Sequence, residues 1–110
     1  ILSNGDMGML GVAIRSAGLD ELLDHVLSAD SVGCYKTHPA VYALGPKALN
    51  LPVSDILFVS SNGWDALAAT WYGFQTLWLN RQGLPFETLG AQPHHIANNL
   101  NDVKTLFSAP

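Results

Sequence analysis

Residues 55–60 read Asp-Ile-Leu-Phe-Val-Ser, an apolar run that ends in a small polar residue. A short, unbroken run of this kind is typical of a parallel strand that is buried on both faces of its sheet. Such a strand needs helices packed on both sides. We therefore expect residues 55–60 to lie inside a parallel sheet that is covered by helices.

The segments that follow this strand alternate between helix and strand. The apolar spacing predicts a helix over 64–72, a strand over 76–79 and, after Pro93, a final helix over 95–107. Alternation of this kind favours the α/β class with a mostly parallel sheet. In such sheets, ligands bind beyond the carboxyl ends of the strands.

The upstream half is predicted to continue the same alternation. Its expected elements are a strand that ends at Leu2, a helix over 6–17 closed by Gly18, a short helix over 20–25, a strand over 26–28, and a helical segment over 39–49 that is kinked at Gly45 and Pro46. Residues 1–5 begin without an initiating Met and resemble the end of a buried strand, so we expect a fragment of a longer protein.

Composition limits the classes of protein that this chain can represent. With 110 residues, 48% of them apolar and 13% charged, we expect one packed domain over residues 1–110. A net charge of -4 with five Lys and Arg residues leaves no basic patch, so no nucleic-acid partner is expected. No apolar run reaches the roughly 18 residues of a membrane span, so no membrane partner is expected either. Cys34 is the only cysteine, which excludes an internal disulfide and favours the cytoplasm.

Polar residues cluster at three predicted strand ends. The first cluster, Ser3 and Asn4, suits an anionic group near a helix N-terminus, but taken alone it is better explained by an ordinary N-cap turn. In the second cluster, Lys36 would hold a carboxylate near a site but is otherwise a solvated surface charge. Tyr42 follows on the next helix, where its hydroxyl either reaches the same cleft or belongs to a core aromatic.

The third cluster, residues 60–65, is the most informative. Its polar side chains crowd the end of an apolar strand, where burial is costly unless they are hydrogen-bonded. Asp65 would act as a general base for water beside Ser60 and Asn62 and would pair with Lys36. The structural alternative is an acid in the first turn of a helix, with Trp64 as a core residue.

The histidines give no metal site by their spacing. His94 and His95 are adjacent and point about 100° apart on a helix, and neither has a partner at zinc-ligand spacing. We therefore expect these two residues, with His25 and His38, to be structural or exposed. Arg81 is likewise expected at the surface or in a hydrogen bond.

Four motifs taken together resemble a known family. The motifs are Ser-Asn-Gly from Ser3, Tyr-Lys at Lys36 with a following Tyr42, Leu-Phe-Val-Ser-Ser-Asn-x-Trp-Asp ending at Asp65, and Asn-Arg-x-Gly-x-Pro ending at Pro85. They closely resemble those of L-2-haloacid dehalogenases of the haloacid dehalogenase superfamily. The similarity covers most of the chain. One departure is that Lys36 is followed by Thr, where the commoner superfamily pattern has Pro.

The resemblance implies a Rossmann-like, three-layer domain, here without its first strand and its helical cap. In the family, an Asp on that first strand displaces halide from C2 with inversion, and water then hydrolyses the resulting ester at the Asp carbonyl. The resemblance thus implies conversion of (S)-2-haloacids to (R)-2-hydroxyacids without a metal or another cofactor. With the nucleophile outside residues 1–110, the isolated chain is expected to be inactive.

The resemblance also assigns roles by position. Ser3 and Asn4 would bind the substrate carboxylate and the leaving halide, and Lys36 would orient the nucleophilic Asp. Tyr42 and Ser60 would complete the polar network. Asn62 and Asp65 would position Lys36 and the hydrolytic water, and Trp64 would form part of the apolar wall. The halide-binding Arg of the family has no counterpart here, and a homodimer is expected only by analogy.

Two alternatives remain at this point. A Mg²⁺-dependent phosphatase of the same superfamily would carry an acidic residue near the end of this strand, where this chain has Ser61. The neutral Ser60, Ser61 and Asn62 favour the metal-free dehalogenase. The second alternative is a truncated, non-catalytic domain that is kept for binding, and the missing nucleophile is its support.

Overall fold

The computed structural model describes residues 1–85 and 90–107. The chain forms two compact units, Ile1–Leu51 and Pro52–Pro110. Each unit contains parallel strands and helices, which confirms the predicted α/β class. The single domain expected over residues 1–110 stays a prediction. No helix in the described part of the chain is long and apolar enough to cross a membrane.

The first unit is built around a pair of short parallel strands. Its elements, in chain order, are β1 (Leu2–Ser3), α1 (Met7–Ser16), β2 (Leu27–Ser28), a 3-10 turn (Ala29–Val32), α2 (Pro39–Tyr42) and α3 (Leu44–Leu49). Leu2 pairs with Leu27, and Ser3 with Ser28. Ser3 and Ser28 are therefore neighbours, each the last residue of its strand, at the carboxyl edge of the pair.

The ends of α1 follow from local capping. The Asp6 carboxylate accepts a hydrogen bond of 2.8 Å from the backbone N–H of Met9, which satisfies one of the free donors of the first turn. Ala17 is the C-cap residue, and Gly18 after it has φ +69°, the left-handed conformation that commonly ends a helix. The helix predicted over 6–17 and its closure by Gly18 are confirmed.

The helix predicted over 20–25 is wrong, because this segment forms turns. The N–H of Leu22 bonds to the carbonyl of Leu19 at 2.9 Å, which closes a tight turn in place of an α-helical ladder. A segment this short gains too few hydrogen bonds to offset the cost of helix nucleation.

The helical segment predicted over 39–49 is confirmed, but its break is displaced. The His38 ring accepts a hydrogen bond of 3.1 Å from the N–H of Ala40, and Pro39 occupies the first helical position. The break lies at Ala43, and not at Gly45 and Pro46 as predicted. Pro46 is tolerated in the first turn of α3 because N–H groups at that level have no partner inside the helix.

The second unit contains a parallel sheet in the order β3-β4-β5. Its elements are a 3-10 turn (Val53–Asp55), β3 (Leu57–Ser60), α4 (Gly63–Tyr72), β4 (Gln75–Leu79), β5 (His95–Ala97), a second 3-10 turn (Leu100–Val103) and α5 (Lys104–Phe107). The predicted strand over 76–79 and the predicted helix over 64–72 are confirmed.

Burial distinguishes the two longer strands of this sheet. In β4, residues 76–79 are all buried, whereas Val59 in β3 is 37% exposed. The expected burial of the strand over 55–60 on both faces is therefore wrong for β3. The physical reason is position, because β4 lies between β3 and β5 and is paired along both of its edges.

The helix predicted over 95–107 is wrong in its first part, which forms β5. Leu77 pairs with His95, and Leu79 with Ala97, so this segment fills the second edge of β4. Leu77, Leu79 and Ala97 form a buried cluster, against which Val103 packs. Pairing and burial therefore outweigh the local helical pattern.

A hydrogen-bonded chain of side chains joins α4 to β4. Thr70 Oγ1 donates to the carbonyl of Ala66 at 2.8 Å and lies 2.7 Å from Thr76 Oγ1. The buried Thr76 also donates its N–H to His94 Nδ1 at 3.1 Å. His94 is thus a structural residue, as predicted.

Candidate active site

Two polar clusters lie at the carboxyl ends of strands, one in each unit. The first contains Ser3 and Asn4 at the end of β1, with the backbone of Lys36 bonded to Asn4, and the second contains Ser60 and Asp65 with the residues between them. Within each unit, the parallel strands direct the loops that follow them to one edge of their sheet, which is the usual location of a binding site in this fold class.

The turn at Ser3 is fixed from both sides. Ser3 Oγ accepts a hydrogen bond of 3.0 Å from the N–H of Gly5, and the Ser28 hydroxyl donates to the carbonyl of Gly5 at 2.7 Å. Ser28 is 4% exposed, so this second bond is shielded from water. The backbone that presents Ser3 and Asn4 is therefore held in one conformation.

Asn4 connects this turn to the segment that carries Lys36. Its Oδ1 atom accepts a hydrogen bond of 2.7 Å from the backbone N–H of Lys36, across 32 residues of sequence. Lys36 is half-buried, and the peptide bond between Lys36 and Thr37 is cis. The structure thus brings together Asn4 and the backbone of Lys36, while the role of the Lys36 ammonium group stays a prediction.

Tyr42 is the last residue of α2 and is 1% exposed. Its ring therefore belongs to the buried part of the chain, as the core alternative requires. The expected contact of its hydroxyl with substrate stays a prediction.

The second cluster is organised around a buried carboxylate. The Ser60 hydroxyl donates to Asp65 Oδ2 at 2.8 Å, and Ser60 Oγ accepts from the N–H of Asn62 at 3.2 Å. Asp65 is 3% exposed and lies in the first turn of α4, where the helix dipole favours a negative charge. The structure therefore joins three of the predicted site residues and also gives Asp65 the first-turn position of the structural alternative.

Loop residues at the start of α4 are held by a further set of bonds. The carbonyl of Asn62 accepts from the N–H groups of Asp65 and Ala66 at 3.1 and 3.0 Å. The indole N–H of Trp78 on β4 donates to the carbonyl of Ser61 at 3.2 Å. Every residue from Ser60 to Asn62 thus makes a hydrogen bond that limits its movement.

A pocket of about 400 Å³ opens beside this loop, at the ends of β3 and β4. Trp64, which is 42% exposed, lines it together with Trp78 and Arg81. The Asn80 side chain accepts from the N–H of Leu84 at 3.0 Å and donates to its carbonyl at 2.9 Å, so the Asn-Arg-x-Gly-x-Pro segment forms a closed turn on the rim. Trp64 therefore lies at a pocket wall, while its contact with substrate stays a prediction.

Sequence reasoning missed Ser28 and Trp78. Ser28 holds the turn that follows β1, and Trp78 holds the loop that follows β3. The signal available in the sequence was position, since each residue lies in a predicted strand next to a polar cluster; the register that pairs them is seen in the structure. Ser28 pairs with Ser3, and Trp78 with Ser60.

The described residues contain no group of three or more His, Cys, Asp or Glu side chains that could hold a metal ion. His38 caps α2 and His94 bonds to Thr76, while His25 and His95 are exposed. Cys34 is half-buried and free.

Comparison with known proteins identifies the family of the chain. The family model for haloacid dehalogenase-like hydrolases matches residues 1–73. The chain belongs to this family. The (S)-2-haloacid dehalogenase of Pseudomonas sp. (strain YL) is 46% identical over 107 residues, which are 97% of this chain and 46% of that protein.

Solved structures of haloacid dehalogenase-like hydrolases have the same fold. A crystal structure of an L-2-haloacid dehalogenase matches with a TM-score of 0.96 and 52% identity, over 99% of this chain and 48% of that one. The L-2-haloacid dehalogenase of Xanthobacter autotrophicus with covalently bound chloropropionic acid matches with a TM-score of 0.90 and 31% identity, over 97% and 53%. The chain thus spans about half the length of the relatives that it matches.

Proposed function

We propose that this chain forms part of an (S)-2-haloacid dehalogenase that converts (S)-2-haloacids to (R)-2-hydroxyacids. The observation that carries the proposal is the buried carboxylate of Asp65, hydrogen-bonded by Ser60 at the carboxyl end of β3, in a chain similar to named (S)-2-haloacid dehalogenases. The nucleophile of the reaction is an Asp outside residues 1–110.

In the first step, the nucleophilic carboxylate attacks C2 of the substrate. The carbon–halogen bond breaks, the halide leaves with the bonding electron pair, and an ester of the Asp is formed with inversion at C2. The relative with covalently bound chloropropionic acid supports an intermediate of this type. Lys36 orients the attacking carboxylate, and Ser3 and Asn4 bind the substrate carboxylate and the leaving halide.

In the second step, water attacks the carbonyl carbon of the ester. Asp65 accepts a proton of this water as general base and returns it to the leaving alkoxide oxygen as the acyl carbon–oxygen bond breaks. This step releases the hydroxyacid and regenerates the nucleophilic Asp, whose carboxyl group loses its proton to solvent. Ser60 and Asn62 hold Asp65 in place, Tyr42 completes the polar network, and Trp64 forms an apolar wall. The pairing of Lys36 with Asp65 belongs to this proposal and stays a prediction.

The proposed reaction needs no metal ion. Mg²⁺ prefers oxygen ligands that include carboxylates. In residues 60–65, Asp65 is the only acidic residue, and it already accepts a hydrogen bond from Ser60. A cytoplasmic location and a homodimer complete the proposal.

The test is halide release from (S)-2-chloropropionate by the whole protein in the presence of EDTA. Wild-type protein is expected to release halide, Lys36→Ala to lose the activity, and Lys47→Ala, at an exposed Lys on α3, to keep it. Residues 1–110 alone are expected to be inactive. Hydrolysis of a phosphate ester that requires Mg²⁺, without halide release, would assign the protein to the phosphatases of the superfamily; absence of both activities would favour a non-catalytic role.

A further inference from the structure

Trp78 connects the centre of the sheet to the loop that carries Asp65. It is the fourth residue of β4, is 4% exposed, and pairs in register with Ser60 on β3. Its indole N–H donates a hydrogen bond of 3.2 Å to the carbonyl of Ser61. A buried aromatic ring on a doubly paired strand is thus bonded to the first residue beyond β3.

The position of this bond determines what it does. Ser61 is exposed and lies outside the β3 ladder, so strand pairing does not fix its backbone. On either side of it, the Ser60 hydroxyl donates to Asp65 Oδ2, and the carbonyl of Asn62 accepts from the N–H of Asp65. The Trp78 bond therefore holds the middle of the loop, between the strand end and the first turn of α4.

We propose that Trp78 is a positioning residue for hydrolysis of the ester intermediate, acting through Ser61 on Asn62 and Asp65. The inference rests on the proposed function and extends it to a residue on the neighbouring strand. A general base must lie within hydrogen-bond reach of the water that it activates. A displacement of about 1 Å can cost about 100-fold in rate, so a relaxed loop slows this step more than it weakens substrate binding.

The test removes the N–H donor. Trp78→Phe does so by mutagenesis with a smaller, monocyclic ring, whereas replacement of Trp78 by benzothienylalanine keeps the bicyclic shape with sulfur in place of N–H. The matched control is Trp71→Phe, because Trp71 on α4 is 60% exposed. Each variant is made in the whole protein. With (S)-2-chloropropionate as substrate, the measurements are pre-steady-state halide release, steady-state kcat and KM, and the amount of covalent adduct by mass spectrometry. The Tm of each variant is measured separately.

Both Trp78 variants are expected to keep a first burst of halide while kcat falls about 10- to 100-fold and the ester adduct accumulates. The Trp71 control is expected to match wild type. A kcat within about twofold of wild type in the benzothienylalanine variant would overturn the role of Trp78, as would equal loss of burst and turnover without adduct. If Trp78→Phe does not fold, the benzothienylalanine variant decides.

These results separate the inference from the function on which it rests. Halide release by wild type together with an unchanged benzothienylalanine variant would remove only the role of Trp78. Absence of halide release by wild type would remove the proposed function, and the role of Trp78 with it.

Discussion

The hydroxyl of Ser60 donates a hydrogen bond of 2.8 Å to Oδ2 of Asp65, which is 3% exposed. Ser60 ends β3, and Asp65 lies in the first turn of α4, so one bond closes the loop between strand and helix. A buried carboxylate is costly unless it is hydrogen-bonded. The bond therefore supports both the local structure and the proposed general base.

Ser60→Ala is expected to lower both stability and activity. It removes a donor to a buried carboxylate, and hydrogen bonds to charged groups contribute about 1.5–3 kcal/mol to the free energy of unfolding. It also removes the acceptor for the N–H of Asn62. Urea unfolding of the whole protein measures the loss of stability, and halide release under the same conditions measures the loss of activity.

The matched control for this change is Ser54→Ala, at an exposed Ser in the 3-10 turn before β3. It is expected to change the free energy of unfolding by less than about 0.5 kcal/mol, as is usual for surface substitutions. If Ser60→Ala were as mild as Ser54→Ala, the bond to Asp65 would have no measurable energetic role.

Asn4→Ala is expected to impair catalysis, through Lys36 and through the proposed contact of Asn4 with the substrate. The change removes the side-chain acceptor that holds the backbone N–H of Lys36 at 2.7 Å, so the segment with the Lys is less restricted. The proposed task of Lys36 depends on orientation, and we expect kcat/KM for (S)-2-chloropropionate to fall by about 10-fold or more. Steady-state kinetics of the whole protein measure the effect.

Asn98→Ala, at an exposed Asn after β5, is the control for Asn4→Ala and is expected to retain the wild-type kcat/KM. Equal kcat/KM values for the two variants would show that the Asn4 contact does not act on the reaction.

Much of the local structure could be predicted from the sequence because local patterns and tertiary packing agree there. The apolar spacing of α1 is bounded by Asp6 and Gly18, and both residues act as the capping rules require. The polar residues after β3 were expected to be hydrogen-bonded because burial at the end of an apolar strand is costly otherwise. The Ser60 hydroxyl donates to Asp65 and accepts from the N–H of Asn62, while the catalytic roles of these residues stay predictions.

The errors occur where long-range pairing determines the structure. His95 begins a strand because the second edge of β4 accepts it, and a local pattern does not contain this information. Val59 is exposed because β3 is paired with β4 alone in the described sheet. The bond from Trp78 to Ser61 likewise depends on the register of two strands, which becomes known only with the structure.

Gly73 closes α4 in a conformation that a residue with a side chain rarely adopts, with φ +121°. A Cβ atom at this position would lie 3.0 Å from Cγ1 of Val53, so Gly73→Ala adds a close contact to backbone strain. Strain in rare backbone regions costs about 1–3 kcal/mol, which exceeds the gain of about 0.4–1 kcal/mol from the reduced entropy of the unfolded chain.

Gly18→Ala provides the comparison, because Gly18 also has a positive φ but has no atom within 4 Å of the added Cβ. Both variants are expected to lower the free energy of unfolding in urea, Gly73→Ala by the larger amount. An equal loss in the two variants would mean that Val53 moves aside without cost and that backbone strain alone selects glycine after α4.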